Sequence, residues 1–110
     1  MTLDVEVFWS FRSPYSYLAA PRLQEIAERY DVDVRVRPVH PLAVRVEGFF
    51  KQRDKRWPFY VGRDSKRTAD MLGLPFGAPR PDPIVMDFAT GEVAKDQPHI
   101  RRLTHLGQAA

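Results

Sequence analysis

Hydrophobic and polar residues alternate in two short stretches of the chain. In the first, from Leu3 to Ser10, a hydrophobic residue occupies every second position, and in the second, from Asp31 to Val39, valines alternate with charged residues. A period of two residues is typical of β-strands. Because a helical segment separates the two strands, we predict a βαβ unit with parallel strands and a right-handed crossover.

The segment between these strands has the pattern of an amphipathic helix from Pro14 to about Tyr30. Ser13 suits the N-cap, and Pro14 suits the first helical position, where its missing N–H is not needed. Pro21 removes one intrahelical hydrogen bond and is expected to kink the helix. The hydrophobic residues form one stripe, expected to face inward, that consists of Tyr17, Leu18, Leu23, Ile26, Ala27 and Tyr30.

Beyond the second strand the pattern changes to helices and loops. Tyr60–Leu72 has a helical composition, and Gly73 is placed to end that helix. The proline-rich residues 74–83 cannot continue it and are expected to form a linker or a wrapping loop. Pro98 can open a last helix, whose inward face is predicted to consist of Ile100, Leu103, Leu106 and Gly107.

The composition excludes several kinds of chemistry. The 110 residues contain no cysteine, so the chain cannot perform dithiol–disulfide exchange with its own residues, nor build a thiolate metal site. His40, His99 and His105 are too dispersed for a zinc motif, and each is expected at the surface. The chain shows neither a signal-peptide pattern nor an apolar stretch of bilayer length, so we expect a cytoplasmic protein without a membrane anchor.

Positive charge is concentrated in the middle of the chain. Residues 45–67 contain eight basic and three acidic side chains, whereas the whole chain carries a net charge of +3. Such a patch favours anions, although a solvated helix face has the same composition. The patch lacks the aromatic and basic motif of a known nucleic-acid reader, so nucleic acid is not an expected partner.

The junction between the first strand and the first helix is the strongest candidate for chemistry. A helix N-terminus carries unpaired N–H groups and about half a positive charge, so an anion beside Ser13 would be stabilised. A thiolate is one such anion. The simpler alternative is that Ser13 only caps the helix, since serine is among the commonest capping residues.

Two blocks of sequence resemble a known family. Ser13-Pro14-Tyr15-Ser16 is similar to the C-x-x-C motif of thioredoxin folds with both cysteines replaced by serine, and Pro21 matches the proline that often kinks the following helix. The form S-P-Y-S-[YW]-L resembles that of 2-hydroxychromene-2-carboxylate isomerases and kappa-class glutathione transferases, which belong to the DsbA-like branch of this fold. The second block, Y-x-x-x-D-x-x-R followed by L-G-x-P-F, is matched by Tyr60, Asp64 and Arg67 and then by Leu72–Phe76.

The resemblance implies an α/β thioredoxin-like fold of the DsbA type with a helical insertion. Residues 1–42 would form the N-terminal βαβ half of the thioredoxin domain, and residues 43–110 would begin the helical insertion. The second half of that domain, with its hairpin and final helix, has no counterpart in these residues. We therefore expect the chain to be a fragment of a larger domain.

The resemblance also implies a function, that of a glutathione-dependent isomerase acting on a small aromatic carboxylate, commonly as a homodimer and without a metal. Ser13 would be the catalytic residue, beside the sulfur of bound glutathione. Asp64 and Arg67 would have structural or binding roles, and the expected contacts to glutathione or substrate are Pro14, Tyr15, Ser16, Phe49, Arg56 and Tyr60. Trp57 occupies the position of a glutathione-binding lysine in the family, and the chain has no asparagine to match another contact.

Two other functions fit the same residues. A kappa-like glutathione transferase would use the same activated thiolate but release a conjugate. A non-catalytic thioredoxin-like binding or chaperone module would keep the fold without the thiols. Among the aromatic residues, Phe49 and Phe50 could stack on a bicyclic acid, whereas Trp9 is expected in the core.

Overall fold

The computed structural model describes residues 1–110 and contains four helices and four strands. Two seven-residue strands and a sixteen-residue helix make up the first third of the chain, and a second long helix and a small hairpin follow. In chain order the elements are β1 (Leu3–Trp9), α1 (Pro14–Arg29), β2 (Val32–Pro38), α2 (Leu42–Arg45), α3 (Trp57–Leu72), β3 (Met86–Asp87), β4 (Glu92–Val93) and α4 (Pro98–Ala109).

Strands β1 and β2 form the predicted parallel pair. Their register aligns Leu3 with Val32 and continues to Trp9 beside Pro38, so the alternating hydrophobic residues of both strands share one face. The opposite face carries exposed ion pairs, including one between Arg37 and Glu6 at 2.8 Å. The two-residue period therefore predicted both the strands and their sidedness.

Helix α1 begins at Pro14 after the Ser13 cap and runs through Pro21 without interruption. Of the predicted inward stripe only Leu18 is buried; Leu23 and Ile26 are half-buried, and Tyr17, Ala27 and Tyr30 are exposed. The contacts of α1 are with β2 and α3. These two neighbours cover only part of the stripe, so the prediction that Tyr17, Ala27 and Tyr30 face inward was wrong.

Helix α3 begins at Trp57, three residues before the predicted start, because Pro58 fits the second helical position. It ends at Gly73, whose φ of 68° lies in the left-handed region and whose N–H donates to the last turn. Glycine reaches this conformation without the steric cost of a Cβ atom. The predicted end of this helix is confirmed.

The hairpin of β3 and β4 did not follow from the sequence pattern, because strands of two residues are too short to show a period. Its turn is closed by the Gly91 N–H, which donates to the Asp87 carbonyl at 2.8 Å. The fully buried Gln97 holds the adjoining strand end: its amide donates to the Val85 and Ala94 carbonyls at 2.8 Å, and its Oε1 accepts from the Val85 N–H at 2.9 Å. The Gln97 side chain thus pairs with the Val85 backbone N–H and C=O as a neighbouring strand would.

Helix α4 begins at Pro98 as predicted, but only part of its predicted inward face is buried. Ile100 and Thr104 are fully buried, whereas Leu103 and Leu106 are 37% and 59% exposed, so their prediction as inward residues was wrong. Gly107, which was also predicted to face inward, lies against Phe11. A Cβ atom there would lie 2.6 Å from the Phe11 ring, so the helix approaches that ring through its smallest residue.

The hydrophobic core is small and lies away from the β1–β2 sheet. Ala43, Phe49 and Ile84 are its buried members, and Phe50, Met86 and Val93 pack around them. Trp9, expected in the core, is only half-buried; its ring meets Phe11 edge-on at 4.6 Å. No helix has both the length and the apolar composition required to cross a membrane.

Candidate functional site

The site is the loop from Ser10 to Ser13 and the first turn of α1, at the carboxyl end of β1. Ser13 has the extended backbone of an N-cap residue, and its Oγ accepts from the Ser16 N–H at 3.2 Å. The Ser13 N–H donates back to the Ser10 carbonyl at 3.2 Å. The predicted cap is therefore confirmed, and Ser13 is fixed on both its backbone and its side chain.

Two donors at this helix end have no acceptor within the protein. The Ser13 hydroxyl accepts a hydrogen bond but donates none, and the Tyr15 N–H has no intramolecular partner. Pro14 lies between them and has no N–H. With the partial positive charge of the helix N-terminus, these donors can stabilise a small anion at the half-buried Ser13.

Ser16 has a structural contact that the sequence did not indicate. Its Oγ accepts from the Ser10 N–H at 3.2 Å, and its carbonyl accepts from the Trp9 indole N–H at 3.0 Å. Both bonds join the end of β1 to the first turn of α1. Ser16 therefore stabilises the bend that presents Ser13.

Tyr15 connects this site to α3. Its hydroxyl donates to the Asp64 carboxylate at 2.7 Å, and this hydrogen bond, followed by burial, raises the pKa of Tyr15 above its usual value. Asp64 makes no ion pair with Arg67, so the alternative of a local pair on one helix was wrong. The reason is that the Asp64 carboxylate turns toward α1, where the Tyr15 hydroxyl meets it. Tyr60 lies one turn earlier on α3 and is exposed.

A second long-range contact fixes the residue before Ser13. The Arg12 guanidinium donates to both carboxylate oxygens of Asp82, with Nε–Oδ1 at 2.9 Å and Nη2–Oδ2 at 2.8 Å. These side chains are only 31% and 16% exposed, and the Ile84 N–H also donates to Asp82. The sequence gives only one hint of this contact: Asp82 lies between Pro81 and Pro83, whose rings restrict the backbone on either side of it.

Helix α4 packs beside the same loop. Besides the contact between Gly107 and Phe11, the Gln108 amide donates to the Pro38 carbonyl at 3.1 Å. His40 and His105 meet edge-on with ring centroids 6.0 Å apart, and the Nδ1 of His40 is buried without a partner. Burial, followed by the nearby positive charges, lowers the pKa of His40. His40 is therefore half-buried, and its prediction as a surface residue was wrong.

Phe49 and Arg56 are already engaged within the protein. Phe49 is 6% exposed, lies edge-on to Trp57 at 5.7 Å and carries the Arg53 guanidinium 4.5 Å above its ring. It belongs to the core, because Ala43 of α2 and the hairpin residues Met86 and Val93 pack around it. Arg56 is highly exposed and forks onto the neighbouring Asp54, which holds the pKa of that carboxyl at about 2.

The basic segment 45–67 is partly neutralised by local ion pairs, which join Lys51 to Glu92, Arg56 to Asp54, and Lys66 to Asp70. Arg63 and Arg67, one turn apart on α3, are exposed and have no acidic partner. These two side chains remain available to an anion. No group of three or more His, Cys, Asp or Glu side chains is arranged to hold a metal ion.

Comparison with known proteins gave one match. The family model of the DSBA-like thioredoxin domain matches residues 4–89, well over half of the chain, from β1 to the turn of the hairpin. No curated protein and no solved structure matches the chain significantly. The matched region includes the loop and helix start that carry Ser13.

Proposed function

Because the chain belongs to the DSBA-like thioredoxin domain family, we propose that it is a glutathione-dependent isomerase of the 2-hydroxychromene-2-carboxylate isomerase type. The proposed substrate is a small aromatic carboxylate, and Ser13 is the proposed catalytic residue. One observation carries this proposal. The start of α1 presents a hydroxyl and a backbone N–H, both without acceptors, in a motif whose cysteine positions hold serine.

The absence of cysteine determines which chemistry this helix end can support. A disulfide oxidoreductase needs its own attacking thiolate, and this chain has none. A helix N-terminus that stabilises a thiolate in other proteins still does so when the sulfur belongs to a bound molecule. An isomerase suits such a site, because the reaction involves no net transfer of electrons.

The residues present fit glutathione as the source of that sulfur. When bound, glutathione supplies a nucleophilic thiol whose reversible addition to an unsaturated aromatic acid permits rotation about the former double bond. Ser13 donates its hydroxyl proton toward the sulfur position, and the Tyr15 N–H donates from the next free position of the helix. Ser16 is committed to the Ser10 N–H and keeps the loop in place.

Side chains outside this turn have supporting roles in the proposal. Asp64 accepts the hydrogen bond of the Tyr15 hydroxyl and so fixes the position of that side chain beside Ser13, and the same hydrogen bond raises the pKa of Tyr15. Arg63 and Arg67, which lack acidic partners, provide positive charge on the same helix for the carboxylates of glutathione. Arg56 has only a small part in this role, because Asp54 already occupies its guanidinium.

Substitution of Ser13 tests the proposal. In the full chain, Ser13→Ala should lower the turnover of the isomerisation by roughly a hundredfold, the effect of removing one donor to a developing anion. It should also raise the thiol pKa of bound glutathione toward that of free glutathione, as measured by thiolate absorbance.

Ser13→Asp is the matched control, because aspartate caps helices as well as serine but repels an anion. It should retain stability and lose turnover. Near-normal turnover of Ser13→Ala would assign the serine to capping alone. Release of a glutathione conjugate in place of an isomer would indicate a transferase, and a lack of any heat of binding with glutathione would favour a non-catalytic module.

A further inference from the structure

An open cleft lies between the proline-rich segment and α4. It has a volume of about 280 Å³ and is lined by carbon-rich walls formed by Pro81, Pro83, Leu103 and Leu106. This volume is close to the lower limit of small-molecule sites. Leu103 and Leu106 are the two leucines of α4, and both are exposed, so the cleft accounts for hydrophobic side chains that the core does not use.

The cleft contains one guanidinium group without a counter-charge. Arg102 and His99 line it from α4, and neither forms an ion pair with an acidic residue. Asp82 is the one acidic residue in the lining, but both of its oxygens accept hydrogen bonds from Arg12. The cleft therefore combines apolar walls with a guanidinium group that has no counter-charge.

The ion pair between Arg12 and Asp82 connects the cleft to the proposed active site. Arg12 immediately precedes Ser13 in the chain, and its side chain reaches Asp82 in the cleft lining. The Phe11 ring packs against Gly107, one residue beyond Leu106 on α4. The loop that presents Ser13 thus contacts Asp82 in the lining of the cleft and α4, the helix that forms its other wall.

We propose that this cleft binds an apolar carboxylate, with its hydrocarbon part against Leu103 and Leu106 and its carboxylate on Arg102 and His99. A planar guanidinium forms paired hydrogen bonds with a carboxylate, and leucine and proline walls favour a ring over a polar peptide. The inference deepens the proposed function and in that sense rests on it, because it assigns the aromatic acid to a specific surface. The binding measurement that tests it, however, does not depend on the Ser13 site.

The full chain is titrated with 2-naphthoate and, as a neutral analogue of the same shape, with 2-naphthamide, both followed by calorimetry and by NMR shifts of the α4 amides. Naphthoate should bind at least about tenfold more tightly than the amide. Arg102→Gln should weaken naphthoate binding by about tenfold. Arg101→Gln is the matched control: it removes the same charge one residue away, on the side of α4 near His40, and should leave the affinity unchanged.

Four results would overturn the proposal. Equal affinity for the acid and the amide would show that the cleft does not recognise the carboxylate charge. Equal losses of naphthoate affinity in Arg101→Gln and Arg102→Gln would indicate an effect of general surface charge. Tighter binding of S-methylglutathione at the same α4 residues would assign the cleft to the peptide. Concentration-dependent shifts of Leu103 and Leu106 without any acid would assign it to a second copy of the chain.

The failure of the cleft can be distinguished from the failure of the proposed function. Naphthoate is titrated in the absence of glutathione, so its binding is independent of the Ser13 site. Binding with normal turnover of Ser13→Ala would leave the cleft assigned and refute the catalytic serine. The reverse pattern would refute the cleft alone. A folded spectrum of Arg102→Gln, whose side chain is exposed in the parent, verifies that the variant tests binding.

Discussion

The ion pair between Arg12 and Asp82 is expected to hold the loop before Ser13 in place, and its contribution to stability can be measured. Asp82 is joined to Arg12 across seventy residues of sequence, so the pair closes the proline-rich segment onto the proposed active site. The perturbation is a double-mutant cycle with Arg12→Gln, Asp82→Asn and the double variant. Each single change removes one charge; Asp82→Asn keeps the size of the side chain, and Arg12→Gln keeps its aliphatic part.

The expected magnitude follows from geometry and burial. The pair has two hydrogen bonds, at 2.9 and 2.8 Å, and side-chain exposures of 31% and 16%. Hydrogen bonds to charged groups contribute about 1.5 to 3 kcal/mol, whereas exposed ion pairs contribute about 0.2 to 1 kcal/mol. Because Arg12 still has access to water, we expect a coupling free energy of about 1.5 kcal/mol, near the lower limit of the first range.

The assay is urea unfolding of the full chain, followed by the fluorescence of its tryptophans, with the coupling taken from the four free energies of unfolding. The matched control is the cycle of Arg37→Gln with Glu6→Gln, a pair of similar distance whose side chains are 53% and 50% exposed. Its coupling should not exceed about 0.5 kcal/mol. If the two cycles give the same coupling, the reasoning from burial and paired geometry is refuted.

Two further predictions concern buried polar groups. Gln97→Leu should lower the free energy of unfolding by about 2 kcal/mol, because the Val85 N–H loses its partner. The control, Gln24→Leu on the exposed face of α1, should change it by less than about 0.5 kcal/mol, and equal effects of the two variants in urea unfolding would contradict the role of Gln97. Because the pKa of His40 is lowered in the folded state, the unfolded chain binds the proton first. Stability is then fully present above the ordinary imidazole pKa of 6.5 and is lost as pH falls from there through the folded pKa. Unfolding curves at several pH values should show this slope, His40→Gln should reduce it, and parallel curves would contradict the assignment.

The sequence predicted the elements whose causes are local. The alternation of β1 and β2, the Ser13 cap with Pro14, and the end of α3 at Gly73 each depend on residues within a few positions of one another. Such signals can be recognised in the sequence because they do not depend on the tertiary arrangement of the chain. Together with the motif at Ser13, they were sufficient to predict the thioredoxin-like α/β fold, which the family match confirms.

The environment of the site depended on contacts that are distant in sequence. Tyr15 contacts Asp64 across forty-nine residues of sequence, and Arg12 contacts Asp82 across seventy. The sequence around these residues does not indicate which partner each of them contacts. Helix periodicity likewise could not determine which side of α4 would be buried. Contacts of α4 with distant segments, such as that of Gly107 with Phe11 and that of Gln108 with Pro38, determined it, and Leu103 and Leu106 were left to line a cleft.

The amino-acid sequence by itself thus determined where strands and helices begin and end, and which residue stands at the helix opening. The tertiary structure alone decided which side chains surround that residue and which hydrophobic groups stay exposed. The physical reason is that capping and periodicity act within one or two turns of chain, whereas burial and ion pairing depend on segments that only folding brings together.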